Sequence, residues 1–323
     1  MHPRLIINHY QNHDPCSRKT MNAKNTITVA VCTYKRQKLL EKLLLNLNDQ
    51  FTNDEFGYSA VVVDNDSEKS AESVIKTLRK KCSYELQYVC EPVKSITQAR
   101  NRAVQNAGGD FLAFIDDDEY PDRMWLYNLY KSIHEYAADG ILGPVLPYFE
   151  IKPPDWLVKS RLCNRKTFST GTVLKDPVYT RTGNVLLRMS LFENTIYPFD
   201  NRFGSTGGED SHFFATAINK GKVFIWCNEA IVHELVPECR LTRRYYIQRA
   251  LLRGALNARN SSFVSKSTAK SLIASGLYSI SLPFLFLAGQ HHFMKYLVRN
   301  CDHIGKILSH LGIEPVKDRS FQA

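Results

Sequence analysis

Residues 110–119 read D-F-L-A-F-I-D-D-D-E. The stretch from Phe111 to Ile115 is apolar, and Asp116, Asp117 and Asp118 follow at once. A short, aromatic-rich apolar run predicts a strand buried on both faces. Three adjacent acids at the end of such a strand crowd like charges at the rim of the core, and each raises the cost of ionising the next. The cluster therefore needs a cation or an array of donors beside it. Asp116 and Asp118 point the same way on an extended chain, so the two can share one divalent ion. Mg²⁺ and Mn²⁺ favour carboxylate oxygens and usually keep a substrate phosphate in their shell. The bland alternative is a solvated acidic turn, helped by Tyr120-Pro121.

Upstream of this stretch, Ile27–Thr33 is a β-branched run and predicts the first strand. Leucines at 39, 40, 43, 44 and 47 predict a helix over Lys38–Leu47. Ala60–Val63 predicts a second strand, followed by Asp64-Asn65-Asp66 and a helix over Glu68–Lys81 capped by Ser67. Leu86–Cys90 is a third strand, and Ser95–Ala107 a helix stopped by Gly108-Gly109. Downstream, a helix over Arg123–Ala138 leads to a strand over Gly140–Val145. Residues 147–177 are irregular and basic, 183–188 resume a strand, and a helix opens at Glu209-Asp210. Lys222–Trp226 and Ala230–His233 are the last strands. The alternation predicts an α/β fold with a mostly parallel sheet. In such sheets the ligand sits at the carboxyl ends of the strands. Asp64 and Asp116–Asp118 both fall there, which counts against a mere solvated turn.

At 323 residues, the chain suggests one large domain or one domain with an appendage. A net charge of +10 points to anionic partners: nucleotides, nucleic acid or an anionic membrane surface. Eight cysteines include no C-x-x-C pair and read as reduced residues of a cytosolic protein. The first twenty residues lack the apolar core of a secretory signal. Residues 1–24 read as a disordered tail, and Met21 is an alternative start. Residues 25–237 form the expected catalytic domain, and 238–323 a basic and apolar helical region. From Cys239 to Cys301 there is no acid, while ten Lys or Arg occur. Residues 271–293 carry no Lys, Arg, Asp or Glu. That run is close to spanning length, but Gly276, Pro283 and four serines interrupt it. A helix in the membrane plane or re-entrant, a true span and a buried soluble hairpin all fit. The basic flanks suit an anionic cytoplasmic leaflet. No nucleic-acid motif accompanies them, so nucleic acid is set aside.

Four groups of residues carry candidate chemistry. Asp64 can accept hydrogen bonds from a base or ribose, beside the Asp116–Asp118 cluster. In Thr33-Tyr34-Lys35-Arg36, the Tyr can flank a base and Arg36 can hold phosphate. Arg100 and Arg102 stand on the helix ahead of the acidic strand. Gly207-Gly208-Glu209-Asp210 combines a pliant backbone with two acids at a helix start, where the dipole favours an ionised carboxylate able to act as a general base. His233, at the end of a strand, offers an imidazole ligand for Mn²⁺.

In this order, V-C-T-Y-K-R, V-V-D-N-D-S, the A-R-N segment, F-I-D-D-D-E-x-P, T-G-N-V-L-L-R, G-G-E-D and the later V-H resemble glycosyltransferase family 2. The resemblance covers residues 27–235. Its texture is that of surface-polysaccharide enzymes of the succinoglycan glucosyltransferase type. It implies a GT-A fold and inverting sugar transfer from a nucleotide-sugar, a UDP-sugar in the first instance, to a glycan or lipid-linked acceptor. Thr33, Tyr34, Arg36, Asp64, Arg100, Asp116 and Asp117 would then border the nucleotide-sugar. Asp118 and His233 would hold Mg²⁺ or Mn²⁺. Asp210 would be the catalytic base, with Glu209 orienting the acceptor, and Trp156 and Asn184 would line the acceptor or sugar pocket. The implied location is cytoplasmic, on the inner face of the cell inner membrane. Two other classes remain in view. A sugar nucleotidyltransferase would carry a glycine-rich loop after the first strand, where Y-K-R-Q-K stands here. An inactive nucleotide-binding membrane module would not need the E-D pair.

Overall fold

The computed structural model describes residues 24–193, 195–204, 207–259 and 262–316. The expected N-terminal tail lies outside these except for its last residue. The chain opens with four mutually parallel strands, β1 (Asn25–Thr33), β2 (Phe56–Asp64), β3 (Glu85–Cys90) and β4 (Phe111–Phe114). The helices α1 (Gln37–Asn46), α2 (Glu72–Leu78) and α3 (Ile96–Asn106) connect them. Then follow β5 (Glu119–Pro121), α4 (Trp125–Glu135), β6 (Gly140–Leu142), β7 (Val145–Tyr148), α5 (Asp155–Ser160), β8 (Val185–Arg188), α6 (Glu209–Asn219), β9 (Phe224–Trp226) and β10 (Val232–Leu235). Three helices close the described chain: α7 (Arg243–Arg259), α8 (Lys266–Ala288) and α9 (Gln290–His310).

The main sheet has seven strands in the order β3-β2-β1-β4-β8-β6-β9. Only β8 runs against its neighbours, so the sheet is mostly parallel, as expected. Strand β4 behaves as its composition predicts. Phe111, Ala113 and Ile115 enter the core under α1, α2 and α4, while Leu112 and Phe114 enter the opposite core under α3 and α6. Both faces are dry, so each apolar side chain on the strand adds burial.

Two local expectations change. The predicted strand over Gly140–Val145 is two strands in different sheets. Gly143-Pro144 lies between them, and β7 joins a three-stranded sheet ordered β5-β10-β7. Proline has no amide hydrogen for a ladder, so it favours a break at that point. Helix α2 starts at Glu72 rather than Glu68, and Ser67 does not cap it. Its first turn is served instead by Asp64, whose Oδ2 accepts from the Ala71 amide at 2.8 Å.

The C-terminal helices dock on the α/β body through a third core of Leu157, Leu241, Tyr245, Tyr246, Ala250, Met294, Val298 and Cys301. Helix α9 lies between α7 and α8 and packs tightly on α7. A Cβ on Gly254 would sit 2.0 Å from the Asp302 carbonyl, and one on Gly305 2.1 Å from that of Leu251. Three of the four serines that interrupt the apolar run of α8 find polar partners on α9. Ser275 donates to Asn300 Oδ1 at 2.9 Å, and Asn300 Nδ2 donates to Ser279 at 3.0 Å. Their four-residue spacing keeps them on one side. Elsewhere on α8, Ile273, Leu277, Ile280, Phe284 and Leu287 are between 64% and 85% exposed. The helix is long and apolar enough to cross a membrane, by length and composition alone. A helix this exposed is not the buried soluble hairpin allowed by sequence.

Candidate active site

The parallel strands bring their carboxyl ends together because of their register. Thr33 at the end of β1 is paired with Asp64 at the end of β2, and Ala30 is paired with Phe114 in β4. Thr33 Oγ1 donates to Asp117 Oδ2 at 2.7 Å. Arg36, just before α1, donates through Nη1 to Asp117 Oδ1 at 3.0 Å and to Asp118 Oδ2 at 3.1 Å. These groups line a cleft of about 930 Å³, together with Tyr34, Asn65, Ser95, Arg100 and Asp116.

The electrostatics match the crowding read from the sequence. Burial, reinforced by Asp116 and Asp117, pushes the Asp118 carboxyl up to about 6. Burial also raises Asp117, against the pull of Arg36 and the Thr33 hydroxyl. Behind them Glu119 is fully buried, and burial followed by the Asp116 charge holds its carboxyl well above the usual range. Such a site lowers its energy by taking up positive charge.

A second network ties α6 to the cleft. Arg100, with a side chain only 10% exposed, ion-pairs with Glu209 and lies 3.9 Å from Asp116. The turn into α6 needs its glycines: Gly207 and Gly208 have φ of 74° and 99°, a region that L side chains rarely enter. This turn aims the two acids differently. Glu209 is buried against Arg100, while Asp210 stays half-buried, with Oδ1 accepting from the Ser211 amide at 2.7 Å. Glu209 is thus an internal partner of Arg100 rather than a group facing an acceptor.

Of the residues singled out by sequence, Thr33, Tyr34, Arg36, Arg100, Asp116, Asp117 and Asp118 line the one cleft. Tyr34 already has the Lys94 ammonium 4.3 Å from its ring centre. Glu209 and Asp210 are not among the residues lining this cleft and connect to it through Arg100, and Asp64, Asn184, Trp156 and His233 do not join it either. Asp64 is completely buried and bonded to the Ala71 amide and the Tyr88 hydroxyl; its neighbour Asn65 faces the cleft. Asn184 is fully buried. Its Oδ1 accepts from Trp125 Nε1 at 2.7 Å, and its Nδ2 donates to the Pro144 and Ala230 carbonyls, so its side chain has no face left for a sugar. Trp156 packs edge-on against Tyr246, with the Arg243 guanidinium 5.8 Å from its ring centre, in the core of the C-terminal helices. His233 Nε2 pairs with Asp122 at 3.1 Å.

Strand alternation explains the last case. On β10 the residue after His233 points the other way, and Glu234 lines the cleft. Arg240, from the turn before α7, lines it too. Sequence reasoning passed over both. Counting in twos along the final strand would have offered Glu234, whereas nothing in the basic stretch singled out Arg240.

Among the described residues, no three His, Cys, Asp or Glu side chains converge into a ready-made metal cage. The chemistry still fits a hard divalent ion. Asp118 Oδ2 is engaged with Arg36, and its raised proton affinity marks a carboxylate short of positive charge. Oxygen donors suit Mg²⁺ and Mn²⁺, which commonly complete their shells with substrate phosphate. His233 is not placed to contribute.

Comparison with known proteins agrees with this architecture. The family model described as Glycosyl transferase family 2 matches residues 28–195. The succinoglycan biosynthesis protein ExoM of Rhizobium meliloti (strain 1021) is 32% identical over 237 residues, covering 72% of this chain and 74% of that protein. Glycosyltransferase AglE of Haloferax volcanii is 24% identical over 227 residues, covering 68% and 70%. Among solved structures, S. aureus TarS 1-349 in complex with UDP-GlcNAc aligns over 91% of this chain and 94% of its own, with a TM-score of 0.53 at 18% identity. The mannosyltransferase PcManGT from Pyrobaculum calidifontis, in complex with GDP-Man and Mn²⁺, aligns over 88% of each chain with a TM-score of 0.56 at 20% identity. The fold is GT-A, and the chain belongs to glycosyltransferase family 2.

Proposed function

We propose that the chain is an inverting, metal-dependent hexosyltransferase that moves a sugar from a UDP-sugar to a glycan or lipid-linked acceptor in surface-polysaccharide biosynthesis. The observation that carries this reading is the cleft at the carboxyl ends of β1, β2 and β4. There Thr33 and Arg36 hold Asp117 and Asp118 in a fixed array. Its volume of about 930 Å³ lies at the upper end of the range for small-molecule sites. The ExoM and TarS relatives support polysaccharide chemistry and a UDP-linked donor.

In this mechanism Arg36 and Arg100 border the nucleotide-sugar, while Asp116 and Asp117 position it. Asp118, with Asp116 beside it, would hold Mg²⁺ or Mn²⁺. When bound, the cation supplies positive charge against the departing nucleoside diphosphate. Asp210 takes the proton from the acceptor hydroxyl, which attacks the anomeric carbon opposite the leaving group and inverts it. Arg100 fixes Glu209, and so fixes the first turn of α6 on which Asp210 rides.

The domain reading places the catalytic unit at 25–237 and a membrane-associating region at 238–323. The exposed apolar face of α8 supports attachment in the plane of the cytoplasmic face of the inner membrane. The deciding experiment incubates the full chain with a panel of UDP- and GDP-sugars, with Mn²⁺ or Mg²⁺ and with chelator, and measures nucleotide release. Metal-dependent turnover of one UDP-sugar is expected. Release that persists in chelator, or no turnover of any sugar nucleotide, would overturn the reading.

A further inference from the structure

A second cavity, of about 280 Å³, lies between the α/β body and the C-terminal helices. It meets the donor cleft at Glu234 and Arg240, which line both. Its walls carry five arginines. Arg165 and Arg181 come from the loops before β8, Arg240 from the turn before α7, and Arg249 and Arg253 from α7. Glu234 is the one carboxylate among the lining residues.

Three of the five arginines are ion-paired, and Arg181 and Arg249 are left without a carboxylate partner among the described residues. Arg165 pairs closely with Glu234 and lies 3.9 Å from Glu119, and Glu234 is shared with Arg240 at 3.8 Å. Arg253 is held by Asp302, with Nε donating at 2.7 Å. Arg249 donates to the Tyr245 hydroxyl at 3.2 Å. Arg181 has no carboxylate within ion-pair distance among the described residues. Burial and the nearby Arg165 charge depress its guanidinium below the ordinary value. The Arg240 Nε–H is buried with no hydrogen-bond partner among the described residues. Clustered guanidinium groups in a half-dry cavity are costly unless an anion joins them. Planar guanidinium forks match phosphate oxygens, and the two arginines without a carboxylate, with the unpartnered Arg240 Nε–H beside them, suit a phosphate group.

We propose that this cavity is a binding site for a phosphate or diphosphate group, adjacent to but separate from the cleft that takes the nucleotide-sugar. The inference rests on the transferase reading, because it adds a subsite to that reaction. The source that fits a separate site is a phosphorylated acceptor; the donor's own diphosphate is the competing outcome of the test. Glu234 and Arg240 lie where the two paths meet.

The test is calorimetric titration of the full-length protein with pyrophosphate, alone and with UDP saturating, repeated on Arg181→Gln and Arg249→Gln. Wild type should bind pyrophosphate, with an affinity that falls as salt rises. Each variant should bind it about tenfold or more weakly, the usual weight of a charge-assisted hydrogen bond. Unchanged melting temperatures should accompany the loss. Binding that persists with UDP present and UDP affinity that is unaltered in the variants assign the site to a phosphorylated acceptor. Displacement by UDP, with parallel losses of both affinities, would make it part of the donor cleft and overturn a separate site. Absence of pyrophosphate binding, or binding that neither variant weakens, overturns the proposal. Failure of the transferase reading looks different: pyrophosphate would bind while no UDP-sugar is bound or turned over.

Discussion

Replacing Asp118 by Asn should make the protein more stable and, at the same time, inactive. The Asp118 side chain is 16% exposed, and its carboxyl is raised from 3.8 to about 6 by burial and by Asp116 and Asp117. The folded protein therefore holds this proton more tightly than the unfolded chain does. The linked penalty is absent below about pH 4, grows between pH 4 and 6, and is complete above 6. The rise to about 6 corresponds to about 3 kcal/mol at pH 7.5, an upper figure that already contains the attraction of Arg36. Asn keeps the shape and an oxygen for Arg36 while removing the charge. In chelator at pH 7.5 the variant should gain roughly 1–3 kcal/mol, or a rise of about 2–6 °C in melting midpoint. At pH 4.5 the gain should shrink to about 1 kcal/mol or less. Added Mn²⁺ should stabilise the parent and not the variant, and sugar transfer should be lost. The assay is thermal unfolding in EDTA and in Mn²⁺ at the two pH values. A variant no more stable than its parent at pH 7.5, or equally favoured at pH 4.5, would refute the argument that crowding of like charges primes this site for a cation.

Arg100→Met should cost roughly 3 kcal/mol, because it strands the buried Glu209 carboxylate; adding Glu209→Gln should restore part of the loss, read by urea unfolding. Asn184→Ala should destabilise by roughly 2–4 kcal/mol through three lost buried hydrogen bonds, with donor KM unchanged in whatever protein remains folded; a selective rise in KM would restore a pocket role for Asn184. Ile280→Glu with Leu287→Glu should reduce sedimentation with anionic vesicles tenfold or more while leaving nucleotide release in solution intact; undiminished vesicle binding would remove α8 as the membrane contact. Truncation near residue 260 is a poorer test, because it would also strip the buried Met294, Val298 and Cys301 of α9 from the third core.

The sequence was most informative where local chemistry and packing pointed the same way. The Phe111–Phe114 strand, the helix stop at Gly108-Gly109 and the gathering of Thr33, Arg36 and Asp116–Asp118 follow from apolar runs and strand-end acids alone. The losses came where tertiary partners decide. Asn184 stands just before β8 and Trp156 in the short helix α5, and only packing shows that they are spent on Trp125 and Tyr246. Asp64 sits at the end of its strand as expected, yet its carboxyl turns back to serve the start of α2. For His233 the strand was recognised but its facing was not, and one residue of register separates an imidazole on Asp122 from a carboxylate in the cleft. The second cavity could not be read at all, since its arginines come from segments up to 88 positions apart, from Arg165 to Arg253.

The most direct test of the central claim is Asp210→Asn, with donor affinity by calorimetry and transfer rate measured on the same preparation. General-base catalysis contributes on the order of 10²–10⁴ in rate. The account predicts a loss of that size with UDP-sugar affinity within about twofold of the parent. Parallel loss of affinity and rate, or a rate near the parent's, would contradict it.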